Sequence, residues 1–343
     1  METKDILKKL VSFNTIKDKK NKEIMNYIEN YLKEYHFITK RIGKCLIAYN
    51  SEKANIGFIG HTDTVDYESW DGDPFTLYEE KGLLKGLGAC DMKGGIASIL
   101  KTISNIDLRK NKIALYFTND EERNMEGIKA IHELIMPNNV IIGEPTNNIP
   151  VYGTKGVLEL ELSFFGKKCH SSTPDKGINA IYMCIEFINK IKKYYNKTIK
   201  NELCNDFEIP YTTMNIGLIN GGETVNSVPG KCTITIDFRI AIKNQGEKIL
   251  KEIKKYLKKY SHELIVKTIL NPNINNNDIS FLEKISHKKE TKCYLTEGSY
   301  INKNFIILGP GPDTSHQKNE YIKVSSLEET VHLYKEIIEY YNK

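Results

Sequence analysis

The chain has 343 residues, 40% of them hydrophobic and 27% charged, with 49 basic against 44 acidic residues and a net charge of +5. That length favours two domains over one core. The basic excess is too small and dispersed to argue for a nucleic-acid partner, since runs such as "KIKKYYNK" (190–197) and "KEIKKYLKKY" (251–260) interleave Ile and Leu at helical spacing and read as solvated helix faces.

In chain order, "KDILKKLVSF" puts Ile6, Leu7, Leu10 and Val11 on one helical face, and "NKEIMNYIENYLKEY" does the same with Ile24, Ile28 and Leu32. "CLIAYN" (45–50) and "NIGFIG" (55–60) read as short buried strands, "MKGGIASILKTISNI" as a helix and "KIALYFTN" as a strand. "EGIKAIHELI" is helical, and "NNVIIGEPT" is a strand running into a turn. Alternating strands and helices imply an α/β domain with a largely parallel sheet and helices on both faces. The pattern then changes. "VLELELSFFG" (157–166) alternates with period 2, Leu158, Leu160, Leu162 and Phe164 facing one way and Glu159, Glu161 and Ser163 the other. "KCTITIDFRI" (231–240) repeats this with Cys232, Ile234, Ile236 and Phe238. Such alternation belongs to an antiparallel sheet covered on one face. With helices expected over roughly 177–195 and 246–260 and a further strand in "TTMNIGLING", residues 156–271 read as a small α+β (ferredoxin-like) insert. After "NPNINNND" (271–278), α/β character returns in "NFIILGPG" and a last helix, so residues 1–155 and 272–343 form one discontinuous domain.

Seven widely spaced cysteines without a C-x-x-C pair suit reduced thiols. No apolar run approaches the ~20 residues of a membrane span, and the first residues lack a secretory signal. A soluble, cytoplasmic protein is expected.

The polar residues of interest mostly follow apolar runs. "GFIGHTDTV" supplies His61 and Asp63, "LGACDMKGG" Asp91, "YFTNDEE" Glu121 and Glu122, "VIIGEPT" Glu144, and "ILGPGPDTSHQKNEY" His316. In open α/β sheets ligands bind beyond the carboxyl ends of the strands, where these groups would converge. Histidine nitrogen and carboxylate oxygen without thiolate suit Zn²⁺ or a similar ion, and the surplus of ligands makes a two-metal site plausible. Each residue alone also reads as a turn or helix-cap residue.

Together, "GHTDTV", "GLGACDMKGG", "TNDEE", "IIGEPT" and "GPG…SHQKNEYI" resemble the zinc-dependent aminoacylase and deacetylase family, which includes acetylornithine deacetylases, succinyl-diaminopimelate desuccinylases, carboxypeptidases and tripeptidases. The resemblance spans nearly the whole chain. It implies that His61 and Glu144 bind one metal, that His316 and Glu122 bind the other, and that Asp91 bridges them. Asp63 would hold the His61 ring. Glu121 would be the general base, taking a proton from the attacking water and passing it to the leaving amine. The metal would be Zn²⁺, one or two ions per subunit, with Co²⁺ able to substitute.

"GKKCHSSTPDKGINA" resembles the family's lid-domain histidine segment, which implies that His170 stabilises the oxyanion. In the family this histidine commonly reaches the partner subunit's site, which implies a homodimer. "NGGETVNSVPG" and "DFRI" match lid positions where Asn226 and Arg239 would contact a substrate carboxylate. "LTEGSYI" (295–301) loosely matches a substrate-side turn, making Glu297, Gly298 and Ser299 contacts. Residues 207–230 and 308–322 resemble the acetylornithine deacetylases more than the peptidases, which implies hydrolysis of N-acetyl-L-ornithine. Desuccinylation of N-succinyl-diaminopimelate, other N-acyl-amino-acid or dipeptide hydrolysis, and an inactive binding protein of the same fold are the alternatives.

Overall fold

The computed structural model describes residues 1–67, 70–275, 281–282, 286, 288–312, 314–315 and 317–343. Helices α1 (Thr3–Val11) and α2 (Asn21–Glu34) come first, then a hairpin of β1 (Ile38–Ile42) and β2 (Cys45–Tyr49). Strand β3 (Ile56–His61) follows, and the short pair β4 (Tyr78–Glu80) and β5 (Leu83–Lys85) precedes α3 (Gly94–Ser104). Next are β6 (Ile113–Thr118), α4 (Glu126–Ile131), β7 (Asn139–Ile142) and β8 (Val151–Thr154). The middle of the chain holds β9 (Gly156–Phe165), α5 (Ala180–Lys197), β10 (Thr213–Gly221), β11 (Lys231–Ile240), α6 (Gln245–Leu257) and β12 (His262–Leu270). Short strands β13 (Asn273–Ile274) and β14 (Glu290–Lys292) lead to β15 (Asn304–Ile307), β16 (Tyr321–Lys323) and α7 (Val324–Tyr341).

These elements divide into two units, Met1–Tyr152 with Asn275–Glu290 and Thr296–Lys343, and Gly153–Ile274 with Thr291–Leu295. Sequence alone groups Thr291–Leu295 with the final segment. In the structure these residues belong with the insert, where the Lys155 N–H donates to Lys292 O at 3.2 Å.

In the first unit the sheet order is β1-β2-β6-β3-β7-β15-β8. Strand β3 lies parallel to both β6 and β7, and β15 is parallel to β7. β1, β2 and β8 pair antiparallel at the flanks. All six residues of β3 and of β6 are buried, as a parallel strand covered on both faces requires. The helical faces read from the sequence are the buried ones: Ile6, Leu7, Leu10 and Val11 on α1, and Ile24, Ile28 and Leu32 on α2, are fully enclosed in one core with Ile96, Leu100 and Ile337. Helix α3 approaches the end of β7 so closely that a Cβ on Gly95 would lie 2.0 Å from Gly143 O, a position only glycine can occupy.

The second unit is β9-α5-β10-β11-α6-β12, an antiparallel sheet ordered β10-β11-β9-β12, the ferredoxin-like arrangement. Leu158, Leu160, Leu162 and Phe164 of β9 and Cys232, Ile234, Ile236 and Phe238 of β11 are buried with Phe187 and Ile191 of α5 and Ile249, Ile253 and Leu257 of α6. The opposite face carries charge, with Lys267 Nζ 3.2 Å from Glu161 and 3.7 Å from Glu159. Strand β12 escapes the sequence reading because a register shift between Val266 and Thr268 breaks its alternation.

Candidate functional site

Because β3, β6 and β7 run parallel, their carboxyl ends share one edge of the sheet. His61 is the last residue of β3, Glu121 and Glu122 lie just beyond β6, and Glu144 lies two residues past β7. Asp91 comes from the turn Ala89–Lys93 ahead of α3, where it and Met92 leave helical geometry and share a cis peptide bond.

These side chains meet. His61 Nε2 is 3.0 Å from Asp91 Oδ1 and 3.5 Å from Glu144 Oε1. Two overlapping sets, His61 with Asp91 and Glu122, and His61 with Glu121 and Glu144, each present one ligand atom per residue, all within 4.8 Å of one another. His316, the expected partner of Glu122, lies outside the described residues.

Asp63 lies beside both the His61 ring and the glutamate turn. The nearest acceptor to His61 Nδ1 is the Asp63 backbone O at 3.1 Å, with the Asp63 carboxylate at 3.6 Å. That carboxylate also accepts the Glu121 N–H on Oδ1 and the Glu122 N–H on Oδ2, each at 3.2 Å. Asp120, with φ of +61°, turns the chain so that both amides face it. Aspartate tolerates this left-handed conformation better than most residues.

Burial and neighbouring charge act together on these groups. Burial opposes a charged His61, yet Glu144, Asp63 and Asp91 hold its pKa well above that of free imidazole. Burial, with the Glu144, Glu122 and Asp91 charges added, keeps Glu121 well above the ordinary carboxylate range despite His61. Burial and Asp91 push Glu144 up to about 8. For Asp63 burial is outweighed by His61 and the two N–H donors, and its pKa falls.

Four carboxylates crowded on one fully buried imidazole repel one another unless protons or a cation neutralise them. The donors are nitrogen and oxygen only, because the adjacent Cys90 thiol donates to Pro312 O at 2.9 Å. This donor set fits a divalent metal ion.

Gly298 is buried, and a Cβ there would come within 2.7 Å of the Phe305 ring, so its smallness serves packing. The Ser299 N–H donates to Thr296 O at 3.0 Å in the same turn. Glu297, read as a substrate contact, is 1% exposed, and burial pushes its pKa up to about 7. In the second unit His170 is exposed, its Nδ1 2.7 Å from Ser172 Oγ. Asn226 is beside it, its backbone O accepting the Ser171 N–H at 3.0 Å. Arg239 donates from Nε to Asp237 Oδ2 at 3.0 Å. It stands at the far end of β11, eight residues from Lys231 and so about 26 Å along the strand.

Two buried groups escape the sequence reading. Lys93 donates from Nζ to Phe13 O at 2.9 Å, and burial lowers its pKa to about 7. Glu320 lies under the Asp91 turn, and its only signal is its place four residues after His316 in "SHQKNEY".

Comparison with known proteins follows the same lines. Residues 152–264 match the peptidase dimerisation domain. The chain is 32% identical to an acetylornithine deacetylase of Photorhabdus laumondii, over 94% of this chain and 91% of that one. Its fold is similar to the aminopeptidase PepT of Bacillus cereus, with a TM-score of 0.81, 20% identity and coverage of 99% and 98% of the two chains. It is also similar to a dinuclear metal-binding peptidase of Bacillus subtilis, with a TM-score of 0.72, 14% identity and coverage of 98% and 96%.

Proposed function

The chain belongs to the metal-dependent aminoacylase, deacetylase and peptidase family, and on that premise we propose that it hydrolyses N-acetyl-L-ornithine to L-ornithine and acetate. The observation that carries this choice is the likeness, over nearly the whole chain, to relatives named acetylornithine deacetylase. His61, Asp91, Glu122 and Glu144 would hold the metal, with His316 as a further ligand. Zinc is the proposed ion and cobalt its substitute. When bound, such an ion supplies Lewis-acid chemistry, polarising the scissile carbonyl and making water more acidic. Glu121 takes the proton from the attacking water. It returns that proton to the nitrogen as the C–N bond breaks, so one water is consumed and acetate and a free amine leave. Its burial among carboxylates raises its proton affinity, which supports this shuttle.

The protein acts as a homodimer through its insert. The exposed edge strand β10 carries Leu218 and Ile219, and α5 carries Tyr182 and Ile185 three residues apart, all four exposed apolar side chains that a partner would cover. His170 stabilises the oxyanion in the partner subunit's site. Asn226 lies in the loop before β11 and Arg239 near the end of that strand, so the two would serve one substrate carboxylate from different subunits. Among the described residues no helix is long and apolar enough to cross a membrane, and all seven cysteines are free, which suits a cytoplasmic enzyme.

The test is turnover of purified protein with Zn²⁺ or Co²⁺ on N-acetyl-L-ornithine, N-succinyl-diaminopimelate and a dipeptide panel. The highest kcat/KM is expected on N-acetyl-L-ornithine. A dipeptide as best substrate would overturn that choice, and inactivity on every substrate with no bound metal would leave the inactive binding protein.

A further inference from the structure

Glu320 is 2% exposed, yet its carboxylate is fully used. Oε1 accepts the N–H of Cys90 at 2.6 Å and of Asp91 at 2.8 Å, and Oε2 accepts the N–H of Gly88 at 2.9 Å. Its backbone O also accepts the Gly86 N–H at 3.3 Å. Four groups of one turn thus hang on a single residue more than two hundred positions away.

The turn needs such an acceptor. Gly88 has φ of +75°, and Asp91 and Met92 lie outside helical geometry, so regular secondary structure does not satisfy these amides. A buried N–H without a partner costs ~1–3 kcal/mol. Only an ionised carboxylate offers two oxygens that accept throughout, whereas a carboxamide would turn an NH₂ against one of the donors. The acceptor is itself anchored: β16 pairs with β5, and Thr314 Oγ1 both donates to Tyr321 O at 2.9 Å and accepts the Tyr321 N–H at 3.3 Å. On the other side of the turn the Cys90 thiol donates to Pro312 O.

We propose that Glu320 is the positioning residue of the metal centre, setting the Asp91 carboxylate against His61 by holding the 88–91 backbone. The proposal rests on the metal-hydrolase reading above. Glu320 is not a ligand: among the described residues, neither set of clustered ligand atoms includes it. Its effect on metal passes through Asp91, whose N–H it holds and whose Oδ1 lies 3.0 Å from His61 Nε2.

The test is the Zn²⁺ affinity of folded Glu320→Gln, measured by competition with a chromophoric chelator, beside melting of the metal-free protein. Loss of a group that orients a ligand weakens metal binding by about 10–100-fold, and that rise in Kd is the expected result. A Kd within twofold of wild type with only a lower Tm would make Glu320 a structural residue and overturn the proposal. Should Glu320→Gln not fold, Glu320→Asp is read in the same way, since it keeps the charge and withdraws the oxygens. Hydrogen exchange in the wild type needs no variant: the Gly88, Cys90 and Asp91 amides should exchange as slowly as those of β3, and fast exchange there overturns the proposal. Wild-type protein that binds no Zn²⁺ would sink the hydrolase reading and this proposal with it, whereas wild-type binding that Glu320→Gln leaves unchanged sinks this proposal alone.

Discussion

Asp63 gives one carboxylate oxygen to each of two consecutive backbone amides, and this fixes the backbone from which the Glu121 and Glu122 side chains leave. With the turn pinned at both amides, the two side chains leave from fixed points and join different sets, Glu122 with Asp91 and Glu121 with Glu144. Glu121→Gln is expected to lower kcat by about 10²–10⁴-fold, the usual worth of a general base, with metal content by elemental analysis near wild type. Glu122→Gln should lose metal instead. The opposite pattern would exchange the two roles. The sequence motifs name these residues and their order along the chain. They do not show that Asp63 serves the glutamate turn as well as the His61 ring, because two backbone hydrogen bonds leave no trace in residue type.

At the scale of elements, the site depends on how closely α3 seats against the sheet. Gly95→Ala would drive a methyl group into Gly143 O, backbone against backbone with no side chain free to yield. A loss of about 3 kcal/mol in chemical denaturation is expected, at the upper end for overpacking, and a loss under about 0.5 kcal/mol would mean that helix and strand separate easily. The edge of the sheet has a different tie. Glu29 of α2 accepts from Lys33, from Arg41 Nε at 2.9 Å and from Thr39 Oγ1 at 3.0 Å, the last two on β1. The Lys33 hydrogen bond leads, burial opposes it, and Arg41 and Thr39 add to it, lowering the Glu29 pKa from 4.5 to about 2. A carboxylate lowered on folding stabilises above its unfolded pKa and loses that contribution as pH falls through the folded value. Glu29→Gln should therefore cost about 1 kcal/mol at pH 7. In Tm measured against pH, the gap should narrow below 4.5 and close near 2. A gap independent of pH would mean that packing, not charge, is what Glu29 supplies. Helical faces and the alternating strands β9 and β11 were legible because periodicity states which side is buried. Strand β12 was not, since its register shift interrupts that period.

For the whole molecule, the prediction concerns subunits. His170→Ala and Glu121→Gln should each be inactive, and after subunit exchange a mixture should recover about a quarter of wild-type activity, because in a two-fold dimer half the assemblies are mixed and each holds one complete site. No recovery after confirmed exchange would place the His170 contribution within its own subunit.

The sequence by itself determined the family, most of the helices and regular strands, and the chemistry of the donors, because motif spacing and hydrophobic period are local properties of the chain. Only the tertiary structure decided what converges. Parallel pairing of β3, β6 and β7 brings residues 61, 121, 122 and 144 to one edge. A carboxylate at 320 satisfies three amides of the turn that presents Asp91. Such contacts join positions far apart in the chain through backbone groups that every residue carries, so they become visible only when the chain is folded.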